Sequence, residues 1–522
     1  MVNADLVKLS PPPRGFAVQD TAPFPALVEA VAKPKATIGP EMGGTLSRMQ
    51  AMSYEKYANY DQQWLFPPSL EDLLPAGHLA RMIREFVDAQ DLERMGFRVR
   101  IAEDGRPNFS SNMQLKIWLY GYVRRNRTTR GLEWACMNDI GLLWLTGMQC
   151  PDHTTLWRFW RDNRKAIGKL FKQLLEIAVS MELVGLVLHA VDGTKIFSQA
   201  SEQEGLHRQA LEKSLKRLDE AINEIMKETE RAAKHGGECR LPEELQQRQK
   251  LREKIQEQLK QLDEKGRDHL QPEDEDARVM KCRSEKKFAY NAQAVVDHDS
   301  KLIVAADVVT DESDNYQLVP MLQQVKENLG TVAEQTAGDA GYGAITELAK
   351  AEAQQFPAIV NLPKSVQGSE DQPYHASRFA YNAERDHCIC PQGQVLTFDT
   401  IKHRDKQTPY DVRVYRCQSY ETCPVRWQCS SSKTGRTVQI HPNHDTLVRC
   451  REKLKDEDMR ALLKKRGSTV EPVFGLIKEG MKFRRWTVRG LEKVQTQWLL
   501  ICTAANLMRL HRYWAKGRVV FA

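Results

Sequence analysis

The spacing of apolar residues changes period along the chain, and each change predicts a different kind of element. From about residue 68 to 181 the period is helical. Leu115, Trp118, Leu119 and Tyr122 fall on one face, and PDHTTLWRFWRDNRKAIGKLFKQLLEIAVSM opens with cap-type residues, then carries apolar side chains at three- and four-residue steps. This predicts an all-α domain over 51–181. The helical period then vanishes: LVGLVLHAVDGTKI is a continuous apolar run of strand length ending in Asp192 and Gly193. Two further strands in KKFAYNAQAVVDHDSKLIVAADVV, broken by the turn DHDS, read as a hairpin. A helix over about 315–328, a strand ending at TAGDAGYGA, a helix from Ile345 and a short strand PAIVNLP complete a predicted α/β core, split between 182–200 and 286–364.

The gap between those parts, 201–285, is rich in Glu, Lys, Arg and Gln. Leu211, Leu215, Leu218, Ile222 and Ile225 recur at alternating steps of four and three, and Leu251, Ile255, Leu259 and Leu262 continue the pattern after HGG. This predicts a helical hairpin with a coiled-coil-like seam. Residues 365–455 form a small Tyr-, Gly- and Pro-rich insertion that carries cysteines. Residues 456–522 return to helix, and the nearly all-apolar LEKVQTQWLLICTAANLMRL is expected to close the core.

A chain of 522 residues exceeds one ordinary core and suggests two to four domains. Seven of the 23 prolines lie in the first 45 residues, so 1–50 reads as a disordered extension ahead of a start near Met52. The formal charge of +7 is modest, which confines any nucleic-acid surface to local clusters. No apolar run of about 18 residues and no leader-like N-terminus appear, so the expectation is a soluble, cytoplasmic protein with no membrane partner. Eleven irregularly spaced cysteines suit a reducing compartment.

Chemistry concentrates in RGSTVEPVFGLIKEGMKFRRWTVRGL, where Glu471 precedes Lys482, Arg484, Arg485, Trp486 and Arg489. A carboxylate repels phosphate unless a cation lies between them. Asp192 and Asp339, expected at strand ends beside glycines, are the other two carboxylates of a potential cluster, and three acids together raise each other's pKa unless cations neutralise them. Mg²⁺ suits hard oxygen ligands and can share its shell with phosphate. Two such ions, with Mn²⁺ able to substitute, can serve an in-line phosphoryl displacement.

Each feature also has a plain reading. STVE is a capping box with Ser468 as N-cap, Asp192 and Asp339 are ordinary turn residues, and the basic run is a solvated face. The order of the three acids together with the strip favours metal and DNA, with Trp486 stacking on an exposed base. In the helical domain, Thr154, Thr155, Arg158 and Arg161 sit near the start of a potential recognition helix and RRNRTTRGLEW is a second basic patch, while Trp157 and Trp160 are equally suited to packing a core. Cys388, Cys390, Cys417, Cys423 and Cys429 offer ligands for a structural Zn²⁺, chiefly Cys390, Cys417, Cys423 and Cys429, with His387 as a substitute.

The order strand with Asp, hairpin, helix, strand with Asp, helix with Glu, together with VDGTKI, YNAQAVVD, DAGYG and VEPVFGLIK...FRRWTVRGLEKV, resembles the DDE transposases of bacterial insertion sequences, in the lineage with a cysteine-bearing insertion. The resemblance spans about 54–510. It implies a ribonuclease-H-like mixed sheet flanked by helices, with Asp192, Asp339 and Glu471 as the catalytic, Mg²⁺-binding triad. It further implies binding of double-stranded DNA (terminal repeats and target) by at least a homodimer, in a bacterial nucleoid-associated setting. Lys478 matches the Lys of the family's Tyr-Arg-Glu-Lys signature, which touches DNA. The Tyr and Arg positions fall on Lys464 and Gly467, with Arg466 displaced by one. Relatives often show a CxxC pair where this chain has Cys417 and Tyr420. The rival readings are a nuclease of the same fold without strand transfer, and a DNA-binding protein with an inactive core.

Overall fold

The computed structural model describes residues 69–98, 108–234, 243–282, 285–368, 371–403, 410–517, 519 and 521. The predicted extension over 1–50 lies outside the described residues.

Side-chain caps set the ends of the N-terminal helices. These are α1 (Leu79–Asp88), α2 (Ser111–Val123), α3 (Thr129–Asn138), α4 (Ile140–Thr146), α5 (His153–Asp162) and α6 (Arg164–Ser180). Ser110, Thr128, Asp139 and Asp152 each accept a backbone N–H at the start of a helix, meeting donors that the helix itself leaves unpaired. The periodic stretch 151–181 is two helices, because Asn163 turns its amide to Phe159 O at 2.8 Å and to the Arg98 N–H at 2.7 Å.

The central sheet contains β1 (Leu188–Phe197), β2 (Arg278–Cys282), β3 (Glu285–Asp297), β4 (Ile303–Val309), β5 (Gln335–Gly338) and β6 (Ala358–Val360). Its order is β3-β1-β5-β6, and β2 and β4 share the outer edge of β3. Pairing is antiparallel from β4 to β3 to β1 and parallel from β1 to β5 to β6. The expected hairpin is therefore present as β3 and β4. Helices α7 (Arg208–Lys234) and α8 (Glu243–Lys265) form the predicted helical hairpin between β1 and β2. Ile222, Ile255 and Leu262 are buried along it, whereas Leu251 is half exposed and lies off the seam. The HGG turn lies outside the described residues. Helices α9 (Leu318–Leu329) and α10 (Ile345–Ala353) follow β4 and β5.

The cysteine-bearing insertion builds a five-stranded antiparallel meander: β7 (Ala380–Asn382), β8 (His387–Ile389), β9 (Val395–Lys402), β10 (Val412–Cys417) and β11 (Thr437–Ile440). Its small core of Phe379, Cys388, Leu396, Tyr415, Cys417, Val438 and Ile440 is separate from the main one. Three helices complete the chain: α11 (His444–Lys453), α12 (Glu457–Gly475) and α13 (Leu491–Trp514).

Helix α13 closes the core as its all-apolar character predicts. It packs against α1, α2 and α6 on one side and β4 on the other, so one hydrophobic cluster runs from Leu74 to Val519. Asn506 and Trp498 tie it to the sheet: Asn506 bonds both the N–H and the C=O of Ile303, and the Trp498 indole N–H donates to Gln293 O at 2.9 Å. Two buried polar side chains thus satisfy backbone groups and fix the helix axis against the strands.

Candidate active site

Asp192 was expected to close its strand. The strand in fact continues to Phe197, because β3 pairs with it over the whole length, with Asp192 opposite Ala294 and Phe197 opposite Ala289. On the other side, pairing to β5 ends at Ala190 and Ala337. Asp192 therefore stands where its parallel neighbour stops, at an opening in the sheet. Asp339 follows the last residue of β5, and its Oδ1 accepts the Gly341 N–H at 2.8 Å. The glycine before it permits close strand packing, since a Cβ on Gly338 would lie 2.6 Å from Val360 and 3.2 Å from Val191. Burial raises the Asp192 pKa from its ordinary 3.8 to about 6; the nearby Asp339 charge adds to this and Arg466 opposes it. The sheet thus brings two of the three expected acids together.

The third comes from α12, which packs across β1, β5 and β6. This helix starts at the Asp456 cap and runs unbroken through Gly475. Ser468 is therefore not an N-cap, and its hydroxyl donates to Lys465 O at 2.9 Å. Leu463, Val470, Val473 and Phe474 bury the helix against the sheet, and Glu471 lies exposed next to Val470. Among the described residues, no three His, Cys, Asp or Glu side chains stand at metal-holding geometry. Arg466 occupies the approach to Asp192, with Nη1 2.9 Å from Oδ2. The guanidinium supplies the positive charge that two neighbouring carboxylates require. Hard oxygen donors at a half-open rim, with one acid holding its proton to about 6, are chemically suited to a divalent cation.

The strip after α12 divides into an inner and an outer face. Trp486 was expected to stack on DNA, but it is fully buried: its indole N–H donates to Ile196 O at 3.2 Å, and its ring packs on Phe483, Tyr290 and Trp498. It cannot reach a base. Lys482 is exposed, with a left-handed φ of 56°. Arg484 is paired with Glu479, Arg485 donates to Ser198 O at 3.1 Å, and Arg489 pairs with Glu273 at 2.6 Å. Lys478 lies in a π turn over Leu476–Gly480, which shifts it from the face that continuous α-helical spacing would give. It gathers with Lys195 and Lys287 around Cys282, whose thiol pKa is raised by burial and drawn back by the three ammonium groups.

In the helical region, Trp160 is buried, as the packing reading expects, whereas Trp157 stacks on it at 5.3 Å but stays exposed. Arg158 and Arg161 are exposed on α5; Arg158 lines a cavity of about 250 Å³ with Arg98 and Thr155, and Arg161 pairs with Asp162 at 2.8 Å. Part of the RRNRTTRGLEW patch serves packing, for Arg127 bonds Met481 O and lies over the Phe483 ring. On the meander, burial raises the Cys417 and Cys429 thiols, and each also feels Cys390 and Cys423. The Gln392 and Gln394 N–H groups donate to Cys390 Sγ at 3.3 and 3.2 Å. Cys388 is fully buried in the small core.

Two regions of the chain match known families: residues 68–162 match a transposase domain (DUF772), and residues 389–511 match a transposase DDE domain. No curated protein matches. The chain is an insertion-sequence DDE transposase, and hence a DNA transposase and a nucleic-acid-cleaving enzyme. The DDE match covers Arg466, Glu471 and the basic strip, while Asp192 and Asp339 lie between the two matched regions. DDE transposase domains generally use divalent metal ions. Among the described residues no helix is long and apolar enough to cross a membrane.

Proposed function

We propose that this transposase binds the terminal repeats of its own element, hydrolyses phosphodiester bonds at the ends and joins the freed 3′-hydroxyls to target DNA. The observation that carries this reading is the Asp192–Asp339 pair at the rim of the sheet, beneath the helix that bears Glu471. The sheet order, antiparallel on one side of β1 and parallel on the other, supports a ribonuclease-H-like core. Asp192, Asp339 and Glu471 would hold Mg²⁺ or Mn²⁺, which when bound as a pair activates the attacking oxygen and stabilises the leaving one. Arg466 neutralises Asp192 before the cation arrives. Lys478, with Lys195 and Lys287, offers the DNA backbone a positive path beside the acids, and Lys482, Arg484, Arg485 and Arg489 extend it. Arg158 and Arg161 on α5 belong to the end-binding surface. Two ends must be handled together, so the active form is at least a dimer on DNA.

Asp192→Asn tests the assignment: it abolishes end cleavage and strand transfer of pre-cut ends while leaving end binding nearly unchanged. Wild-type cleavage with no joined product from pre-cut ends would point to a nuclease instead. Equal loss of binding and cleavage would mean that the core had unfolded.

Cys390, Cys417, Cys423 and Cys429 are proposed as ligands of a structural Zn²⁺. Their mutual influence and the two N–H donors on Cys390 Sγ support the reading. Elemental analysis should find stoichiometric zinc that is lost in Cys417→Ser, and zinc-free folded protein would refute it.

A further inference from the structure

Behind the acid pair lies a fourth carboxylate that no motif singled out. Asp314 sits in the loop between β4 and α9, and its Oδ1 accepts from Asn291 Nδ2 at 2.6 Å and from Gln293 Nε2 at 2.6 Å, with Lys195 Nζ at 3.3 Å. Asn291 and Gln293 are fully buried on β3, two residues apart and so on one face of the strand. Gly193, the neighbour of Asp192, makes room for this contact: a Cβ there would lie 2.6 Å from the same Asp314 oxygen. The Asp314 backbone C=O accepts the Gln317 N–H at 3.0 Å at the start of α9, which anchors the loop.

The bonds continue toward the acids. With its amide nitrogen held by Asp314, Gln293 turns its carbonyl oxygen to the Tyr342 hydroxyl, which donates to it. Tyr342 is fully buried and closes the short turn Ala340–Tyr342, of which Asp339 is the cap. Asp314 also lies on the far side of that turn, since a Cβ on Gly341 would meet Asp339 Oδ1 at 2.9 Å and Asp314 Oδ2 at 3.6 Å. A buried amide can face either way, and a partner that accepts but cannot donate fixes it. The Asp314 carboxylate, accepting from both amides, is such a partner. Reversing Gln293 would set two donors, its own amide and the tyrosine O–H, against each other.

We propose that Asp314 is a positioning residue for the catalytic edge: by orienting Gln293 it holds Tyr342, and through Tyr342 the turn that presents Asp339 to the metal. The proposal rests on the metal-binding reading of Asp192, Asp339 and Glu471. Groups that orient metal ligands from behind typically change metal affinity or activity by about 10- to 100-fold when lost.

The test compares full-length Asp314→Asn, the reciprocal double variant Asp314→Asn/Gln293→Glu, Tyr342→Phe and Asp339→Ala. Ca²⁺ affinity is measured calorimetrically without DNA, beside Mg²⁺-dependent cleavage and thermal unfolding. Asp314→Asn should weaken Ca²⁺ binding by about tenfold or more, with Tyr342→Phe shifting it in the same direction. The double variant places a carboxylate at position 293, which accepts from both the Tyr342 hydroxyl and the amide introduced at position 314, and should recover part of the loss. Unchanged Ca²⁺ affinity in folded Asp314→Asn, alongside an Asp339→Ala that no longer binds, overturns the positioning role alone. Should Asp339→Ala itself bind Ca²⁺ and cleave normally, the triad reading fails and this proposal falls with it. Unfolding of Asp314→Asn with no recovery in the double variant would make Asp314 a stability residue and also overturn the proposal.

Discussion

Asp192 is fixed by strand pairing and Asp339 by the turn that directly follows a strand, whereas Glu471 depends on how a helix lies and how its side chain turns. Asp192 is held through the ladder to Ala294, and Asp339 by its own bond to the Gly341 N–H. Helix α12 is held by burial and by a 2.7 Å contact between Thr469 and His298. Pro472 lies inside it and removes one backbone donor, and past Gly475 the helix relaxes into a π turn. An acid on a strand, or in a tight turn directly after one, is placed to within the tolerance of a few backbone hydrogen bonds. A helix-borne acid can be repositioned by small shifts of the helix, which matches a structure where two acids adjoin while the third stays exposed.

The same contrast runs through the basic strip, which is anchored by a single parallel bridge to the end of β1: the Trp486 N–H donates to Phe197 O at 2.9 Å and the Phe197 N–H to Arg484 O at 3.2 Å. Trp486→Ala should therefore cost about 3–5 kcal/mol of stability, as for other buried large aromatics. Lys482→Ala, at an exposed position of the same strip, should change stability by no more than about 0.5 kcal/mol and weaken DNA binding instead. Denaturant unfolding without DNA measures both. An unchanged unfolding midpoint in Trp486→Ala, with weakened DNA binding, would return that residue to the DNA-contacting face and break the comparison.

A smaller effect concerns the charge on Asp192. Its folded-state pKa is raised to about 6 from an ordinary 3.8, so the native state binds this proton more tightly than the unfolded chain does. The contribution to stability is most favourable at or below the ordinary value, falls as pH rises toward 6, and is level above that. In metal-free protein, the stability of the wild type relative to Asp192→Asn should decline across this window, read from unfolding midpoints at several pH values. Arg466 opposes the shift, so Arg466→Gln should extend the decline to higher pH. A flat difference would mean that the rim is more hydrated than its burial implies.

Much of the central sheet was legible because its strands are uninterrupted apolar runs and its hairpin has a polar turn between them. The continuation of β1 past Asp192 was not, since Gly193, Thr194 and Lys195 resemble a turn until β3, about a hundred residues later, supplies their hydrogen bonds. Trp486 is flanked by Arg484, Arg485 and Arg489, whose charges mask its apolar surroundings in the sequence. The alternation of Met481, Lys482, Phe483 and Arg484, buried and exposed in turn, already marks an inner and an outer face. Arg466 could not be read locally at all, as its partner lies 274 positions away. Asn291 and Gln293 did leave a trace, two polar residues alternating with alanine in an otherwise apolar strand.

The smallest expected effect separates the two readings of STVE. If Ser468 capped a helix, its replacement by alanine would cost about 1 kcal/mol through the lost bond to a first-turn N–H. In α12 that position lies in the interior of a continuous helix, and the hydroxyl only donates back to Lys465 O. Such back-bonding adds nothing to the helix, and alanine has the higher intrinsic helix propensity. Ser468→Ala should thus leave stability within about 0.5 kcal/mol of wild type, with any change on the stabilising side, and should leave Ca²⁺ affinity untouched. A loss of the capping size would imply that α12 breaks at Ser468 in solution, freeing Glu471 from the helix that runs back to Asp456 and taking with it the contrast between strand-held and helix-held acids.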